Sequence, residues 1–152
     1  MLKKIFYKLF TNKNNYREIT QLEKYEKKYQ KIIYDIDYAI KHNNELNFLH
    51  SGHCGDLIYS FAVIKKLSLT HKCNFYVGLN KINENKYEKH PSGNIFINER
   101  MFNLLLPLLK KQNFFNVVKK HENEKIDINL DLFRELPINY VFNSPRWYFQ
   151  IT

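Results

Sequence analysis

The sequence predicts an α/β protein: a parallel β-sheet flanked by helices and preceded by a long helical extension. Three stretches carry the prediction. Residues 46–67, LNFLHSGHCGDLIYSFAVIKKL, begin with an apolar run, Leu46–His50, that reads as a buried strand. Ser51–Asp56 holds two of the four glycines and reads as a tight turn. Leu57, Phe61, Ile64 and Leu67 then recur at helical spacing, with Lys65 and Lys66 on the far side. Strand, glycine turn and helix are how an α/β unit begins, and ligands of such sheets gather at the carboxyl ends of the strands. The second stretch, residues 72–79 (KCNFYVGL), reads as a strand parallel to the first. The third, residues 16–42, is a single charged helix ahead of the sheet.

The elements follow in order. Residues 1–10, MLKKIFYKLF, place Leu2, Ile5, Phe6 and Leu9 on one helical face with Lys3, Lys4 and Lys8 largely opposite, a basic amphipathic pattern suited to a membrane interface or to docking on the protein itself. Residues 11–15 are polar and asparagine-rich and read as a hinge. In the long helix Leu22, Tyr29, Ile33, Ile36 and Ile40 form one stripe; Glu26 interrupts the seam, which favours packing on the α/β domain over a coiled coil. Asn43 and Asn44 end it. Beyond the second strand, residues 80–94 form a loop with Pro91 and Gly93. Residues 98–112 are helical, with Met101, Leu104, Leu105, Leu108 and Leu109 as the apolar face and Pro107 as a kink. Residues 114–118 are the expected third strand and 126–130 a fourth extended segment. Asp131 caps a turn leading to Phe133 and Arg134, Pro137 breaks it, and Ser144-Pro145 starts a last helix. The domains expected are a helical extension, 1–45, and an α/β domain, 46–152.

Length and composition fit one domain with a hydrophobic core plus that extension: 152 residues, 44% hydrophobic and 16% aromatic. No apolar run approaches the ~18 residues of a spanning helix, and no stretch resembles a cleavable signal peptide. The net charge of +9 is spread along the chain, while residues 122–152 are net acidic. A nucleic-acid arm would concentrate that charge, so no nucleic-acid partner is expected. Lys, Asn, Ile, Phe and Tyr all have AT-rich codons, so the basic balance reads either as codon bias or, more weakly, as attraction to anionic substrates or lipid. Cys54 and Cys73 form no Cys-x-x-Cys, which fits a reducing cytoplasm.

The run GHCGDLIYSFAVIKKL resembles the opening motif of heptosyltransferase-like glycosyltransferases (family 9), which read Gly-Asp-[Ile/Val]-Ile-Tyr-Ser-Leu-Pro before a basic, leucine-containing helix. Gly55, Asp56, Ile58, Tyr59, Ser60, Ile64, Lys65 and Leu67 fit; Phe61 and Ala62 replace the usual Leu-Pro. The matched part is about a tenth of the chain. The resemblance implies a Rossmann-like parallel sheet, the N-terminal half of a GT-B fold. It further implies inverting transfer of a sugar from a nucleotide donor to a glycan or lipid-linked acceptor, with no metal in the chemistry. The second, donor-binding half of such enzymes has no counterpart in these residues, so a fragment, a truncated product or a partner chain supplying that half is expected.

In that reading Asp56 is the general base that takes the acceptor's hydroxyl proton, a role the resemblance implies. Its position at a helix start equally suits an N-cap. Gly52, His53, Gly55, Tyr59 and Ser60 are the expected substrate-binding residues. The glycines supply a turn and close approach to a ligand, and Ser60 donates either to substrate or to its own helix backbone. His50, His53 and Cys54 invite a metal or thiol reading, but their spacing matches no common zinc pattern, and cysteine more often packs as a small hydrophobe. Asp131 and Arg134 read as a local i, i+3 ion pair or as lining of the acceptor cleft. Trp147 and Tyr148 read as core or as the surface where a second half docks. The alternative function is a non-catalytic binding module derived from the same fold.

Overall fold

The computed structural model describes residues 13–83, 93–135 and 144–152, with side chains from Glu26 onward. The chain divides into two compact units, 1–35 and 36–152. Helix α1, Lys13–His42, runs from the first into the second. It starts earlier than expected, so Lys13, Asn14 and Asn15 of the expected hinge are helical; residues 1–10 lie outside the described residues. In the first unit Tyr29, Ile32 and Ile33 are half-buried while Glu26, Lys27, Gln30 and Lys31 are exposed, the amphipathic period the sequence shows. In the second, Ile36 and Ala39 are buried. The last turns of the helix therefore belong to the α/β unit, which begins ahead of the 45/46 boundary expected.

The α/β unit holds a four-stranded, all-parallel sheet of β1 (Glu45–His50), β2 (Lys72–Val77), β3 (Val117–Lys120) and β4 (Ile128–Asn129), in the order β3-β2-β1-β4. Helix α2 (Cys54–Leu67) connects β1 to β2, and α3 (Glu99–Lys110) connects β2 to β3. This is a Rossmann-like α/β fold. The chain walks outward from β1 to β3, then returns to pair β4 with the free side of β1. That reversal puts a topological switch point between β1 and β4, and in open α/β sheets the crevice outside the strand ends at such a point is where ligands bind.

The register aligns Leu46 with Cys73, Phe48 with Phe75 and His50 with Val77. All six are buried, and they share one face because side chains alternate along a strand. Helix α2 covers that face: Phe61 meets Phe75 edge-on at 6.3 Å, and Cys73 Sγ lies 3.8 Å from Ile64 O. Between the β1 and β2 starts the sheet also carries a part-buried amide ladder in which Asn74 is the buried member. Asn74 donates to Glu45 and, at 2.9 Å, to Asn47 Oδ1; Asn116 donates to Asn74 Oδ1 at 2.9 Å.

Several element boundaries differ from the expectation. Strand β3 is 117–120 rather than 114–118. Phe114 and Phe115 stand in the preceding turn, where Phe115 stacks on Phe75 at 5.1 Å, so their apolar character serves packing rather than strand pairing. β3 is an edge strand, and Lys119 and Lys120 are residues that suit an open edge. β4 is two residues long and passes directly into a 3-10 turn, Leu130–Arg134, capped by the Asn129 side chain accepting from Asp131 N at 3.0 Å. Asn129, not Asp131, is the cap. Helix α3 buries Phe102 and Leu109 with Leu105 half-buried between them, an i, i+3, i+7 stripe. Leu104 and Leu108, expected in the core, are 73% and 44% exposed. Helix α4, Ser144–Phe149, closes the unit and packs against α2 and the 3-10 turn, with Tyr148 fully buried.

Candidate functional site

Two segments converge at the switch point. One leaves the carboxyl end of β1 as His50-Ser51-Gly52-His53 and enters α2; the other leaves β4 as the 3-10 turn carrying Asp131 and Arg134. Helix α2 starts at Cys54, earlier than the Leu57 expected, with His53 as its N-cap residue. Asp56 is therefore not the N-cap. It stands at the third helical position and reaches back, its Oδ2 accepting from His53 N at 3.1 Å, the carboxylate half of a capping box.

Asp131 is the hub of the site and is 2% exposed. Its Oδ1 lies 2.8 Å from His50 Nδ1 and accepts from Ser51 N at 2.9 Å and Arg134 Nη1 at 3.1 Å. Its Oδ2 accepts from Lys81 Nζ at 3.0 Å. Burial alone would raise the carboxyl's pKa, but the bond to His50 with its charge, the Ser51 N–H and Lys81 outweigh it and hold the group well below the usual carboxylate range. His50, fully buried, places Nε2 2.8 Å from the Tyr148 hydroxyl, which donates onward to Asp56 O at 3.0 Å. Burial, then the negative charge of Asp56, push the Tyr148 phenol far above its ordinary pKa, so it stays neutral.

Arg134 ties the hub to Asp56. Its Nη2 pairs with Asp56 Oδ2 at 2.5 Å, while its guanidinium lies over the rings of Phe96 at 4.6 Å and Phe133 at 4.2 Å. Two carboxylates and two aromatic faces fix its fork in one orientation. Asp56 Oδ1 has no hydrogen-bond partner among the described residues. No buried side-chain nitrogen or oxygen there lacks a partner, so this oxygen reaches solvent. One oxygen of Asp56 is held, and the other faces outward from a side chain that is 22% exposed.

The other expected site residues divide. A Cβ on Gly52 would meet Arg134 Nη2 at 2.6 Å, His50 at 2.7 Å and Asp56 Cβ at 2.8 Å, so glycine here makes room for the cluster rather than for a ligand. Gly55 is exposed, and a Cβ there would meet only the Tyr59 ring at 3.9 Å; close approach does not require glycine at that position. His53 is half-buried, its Nδ1 3.0 Å from Phe96 O. Tyr59 is exposed on the same side of α2 as Gly55. Ser60 does not face substrate: it is fully buried and its Oγ donates to Leu57 O at 2.7 Å, the helix-backbone alternative.

The thiol reading of Cys54 also fails, because burial first and then the Asp56 charge raise its pKa, opposite to an activated nucleophile. Burial pushes the Cys73 thiol up to about 11. Among the described residues no three His, Cys, Asp or Glu side chains are placed to hold a metal ion, and His50 is committed to Asp131 and Tyr148.

Sequence reasoning passed over Lys81, weighed His50 only as a metal or thiol partner, and read Tyr148 as core or docking surface. The available signal was position: His50 ends β1 and Asp131 follows β4, both carboxyl ends of strands. No family model matches the chain, and no curated protein or solved structure matches it significantly. No described helix is long and apolar enough to cross a membrane.

Proposed function

We propose that this chain is the acceptor-side half of an inverting glycosyltransferase similar to the heptosyltransferases, with Asp56 as its general base. The observation that carries the reading is the divided Asp56 carboxylate: Oδ2 gripped by Arg134 and His53 N, Oδ1 open, at the carboxyl end of β1 beside the switch point. An acceptor hydroxyl donates to Oδ1. As the hydroxyl oxygen attacks the anomeric carbon of the donor sugar, its proton passes to Asp56, the bond to the nucleotide diphosphate breaks, and the electron pair leaves on the phosphate. Arg134 keeps the base in one orientation throughout, so part of the cost of positioning is met before substrate arrives.

The nucleotide-sugar donor sits on a second α/β half, in this chain's continuation or in a partner chain. The acceptor is a glycan or lipid-linked sugar, and the chemistry uses neither metal nor cofactor. The protein works in the cytoplasm, with the amphipathic residues 1–10 resting on the membrane that carries the acceptor.

The test is Asp56→Asn in a preparation that includes the donor-binding half. Asparagine keeps an oxygen for His53 N but loses the charge that pairs with Arg134, so stability falls by about 1 kcal/mol while transfer falls by about 10²–10⁴. Undiminished transfer retires Asp56 as the base. A binding module without turnover is favoured by one observation, that Oδ2 is already committed to the helix cap and to Arg134. In that case acceptor glycans bind and no product forms with any donor.

A further inference from the structure

Helix α3 spends only one side on the core. Phe102 and Leu109 are buried, while Leu104 and Leu108, one turn apart, keep 73% and 44% of their surface in water. Met101, half-buried, and Pro107, exposed, border them, so the apolar surface is a strip rather than a scatter of single residues. A cation closes the strip at each end. At about 100° per residue, Arg100, Leu104, Leu108 and Lys111 fall within an arc of about 80°, and the two cations stand about 16 Å apart along the axis. Lys111, the C-cap residue, still has helical backbone angles, so it belongs to the same face. Both cations are exposed, and neither has a hydrogen bond or ion pair from its side chain among the described residues. The one carboxylate of the helix, Glu99, lies about 140° round from Leu104 and pairs with Lys120 at 3.7 Å.

The outer face of α3 is therefore apolar along its middle, positive at both ends and free of negative charge. A second copy of the helix does not complement it, because either direction of pairing sets cation against cation. An anionic bilayer complements both features at once. Leucines enter the acyl boundary while the long stems of the cations lie along it and carry their charge to the headgroups. Each cation near an anionic leaflet adds attraction, and the net charge of +9 draws the chain the same way.

We propose that the outer face of α3 lies on an anionic membrane surface, with Leu104 and Leu108 in the acyl boundary and Arg100 and Lys111 on lipid phosphates. This contact does not depend on the transfer reading, and it uses other residues than the amphipathic run 1–10.

The experiment puts a reporter on the face itself. Full-length Leu104→Trp is mixed with vesicles of equal parts phosphatidylcholine and phosphatidylglycerol. Its emission is compared with that of the parent, whose single tryptophan, Trp147, stacks on Phe133. The added indole shifts to the blue and is quenched by lipids brominated on the acyl chain. Vesicles of phosphatidylcholine alone, at the same lipid concentration, produce neither change. In sedimentation with the mixed vesicles, Arg100→Glu/Lys111→Glu and Leu104→Asn/Leu108→Asn each bind at least tenfold more weakly than the parent. All four positions are exposed, so the substitutions leave the core as it is.

An added indole that stays unquenched while the protein sediments means that lipid is held elsewhere, by residues 1–10 for instance, and overturns the proposal. A protein that does not sediment with the mixed vesicles, or a charge-reversed variant that binds undiminished, overturns it too. A blue shift that grows with protein concentration in the absence of lipid, with the mass of a dimer at sedimentation equilibrium, overturns it in favour of a second copy. Asp56→Asn binds the vesicles as the parent does, so loss of the transfer reading and loss of this one are separate results.

Discussion

The two ends of the β1–β2 pair satisfy a buried polar side chain, Asn74 at one end and Asp131 at the other, in opposite ways. At the amino end, Glu45, Asn47, Asn74 and Asn116 form a ladder made mostly of neutral amides. At the carboxyl end, Asp131, His50, Arg134, Lys81 and Asp56 form a charged network. An amide both donates and accepts, so neighbouring asparagines satisfy one another in place. A carboxylate only accepts, so a buried one has to gather donors, and Asp131 takes them from the end of β1, from Lys81 after β2 and from its own 3-10 turn. The amide ladder is a device for register. The charged network joins distant segments at one point, and it is there that an outward-facing carboxylate oxygen is left over.

The sharpest break of that comparison is at its hub. Asp131→Ala leaves His50, Arg134 and Lys81 without their shared acceptor, and urea denaturation is expected to show a loss of about 3–5 kcal/mol. A loss under 1 kcal/mol would mean that the network is not held by charge. The hub also sets an acid dependence. Asp131 has a lower pKa folded than unfolded, so its contribution is complete above the unfolded carboxylate's pKa of ~4 and disappears as pH falls from there toward the folded value. Below pH ~4 the parent protein should lose stability more steeply than Asp131→Asn.

Asn74→Ala tests the neutral end. It takes a donor from the solvent-exposed Glu45 carboxylate and orphans amides but leaves no buried charge unpaired, and a smaller loss of about 1–3 kcal/mol is expected in the same assay. If it equals the Asp131 loss, the distinction between the two ends fails. The turn glycines separate the packed part of the carboxyl end from its open part. Gly52→Ala drives a methyl into Arg134, His50 and Asp56 and should cost about 1–3 kcal/mol. Gly55→Ala meets only the Tyr59 ring, at an ordinary 3.9 Å, and on a helix should raise stability by about 0.5–1 kcal/mol. A stabilised Gly52→Ala would mean that the cluster is looser than its distances imply.

The sheet was legible in the sequence because it rests on local patterns: an apolar run, a glycine turn, then helical spacing from Leu57 to Leu67. The errors come from residues whose use is decided at long range. Phe114 and Phe115 have strand-like chemistry, yet they spend it on Phe75 and Phe61 from a turn. Leu104 and Leu108 fit the helical period of α3 but fall beside the stripe that Phe102 sets. Ser60 sits in the motif as a substrate donor would, and the helix rotation turns it inward. Asp131 and Arg134 were legible as a pair, but not as partners of His50 and Asp56. That pairing depends on β4 returning beside β1, which no local pattern specifies. Asp56 itself was located correctly at the carboxyl end of the first strand, and its division into a held and an open oxygen emerges only with Arg134 in place.

The bond from Tyr148 to His50 spans 98 positions, and the one from Asp131 to His50 spans 81. During synthesis β1 and α2 leave the ribosome long before either partner exists. Chains emerge at about 5–20 residues per second, so His50 and the turn behind it wait several seconds in water with their polar atoms unclaimed. Closing so distant a pair also carries a loop-closure cost that local contacts do not repay, which slows folding. The site is therefore among the last parts of the molecule to form. A nascent chain holding the finished β1–β2 pair has an open switch point until α4 arrives, and that interval is when its polar atoms are exposed to solvent and to chaperones.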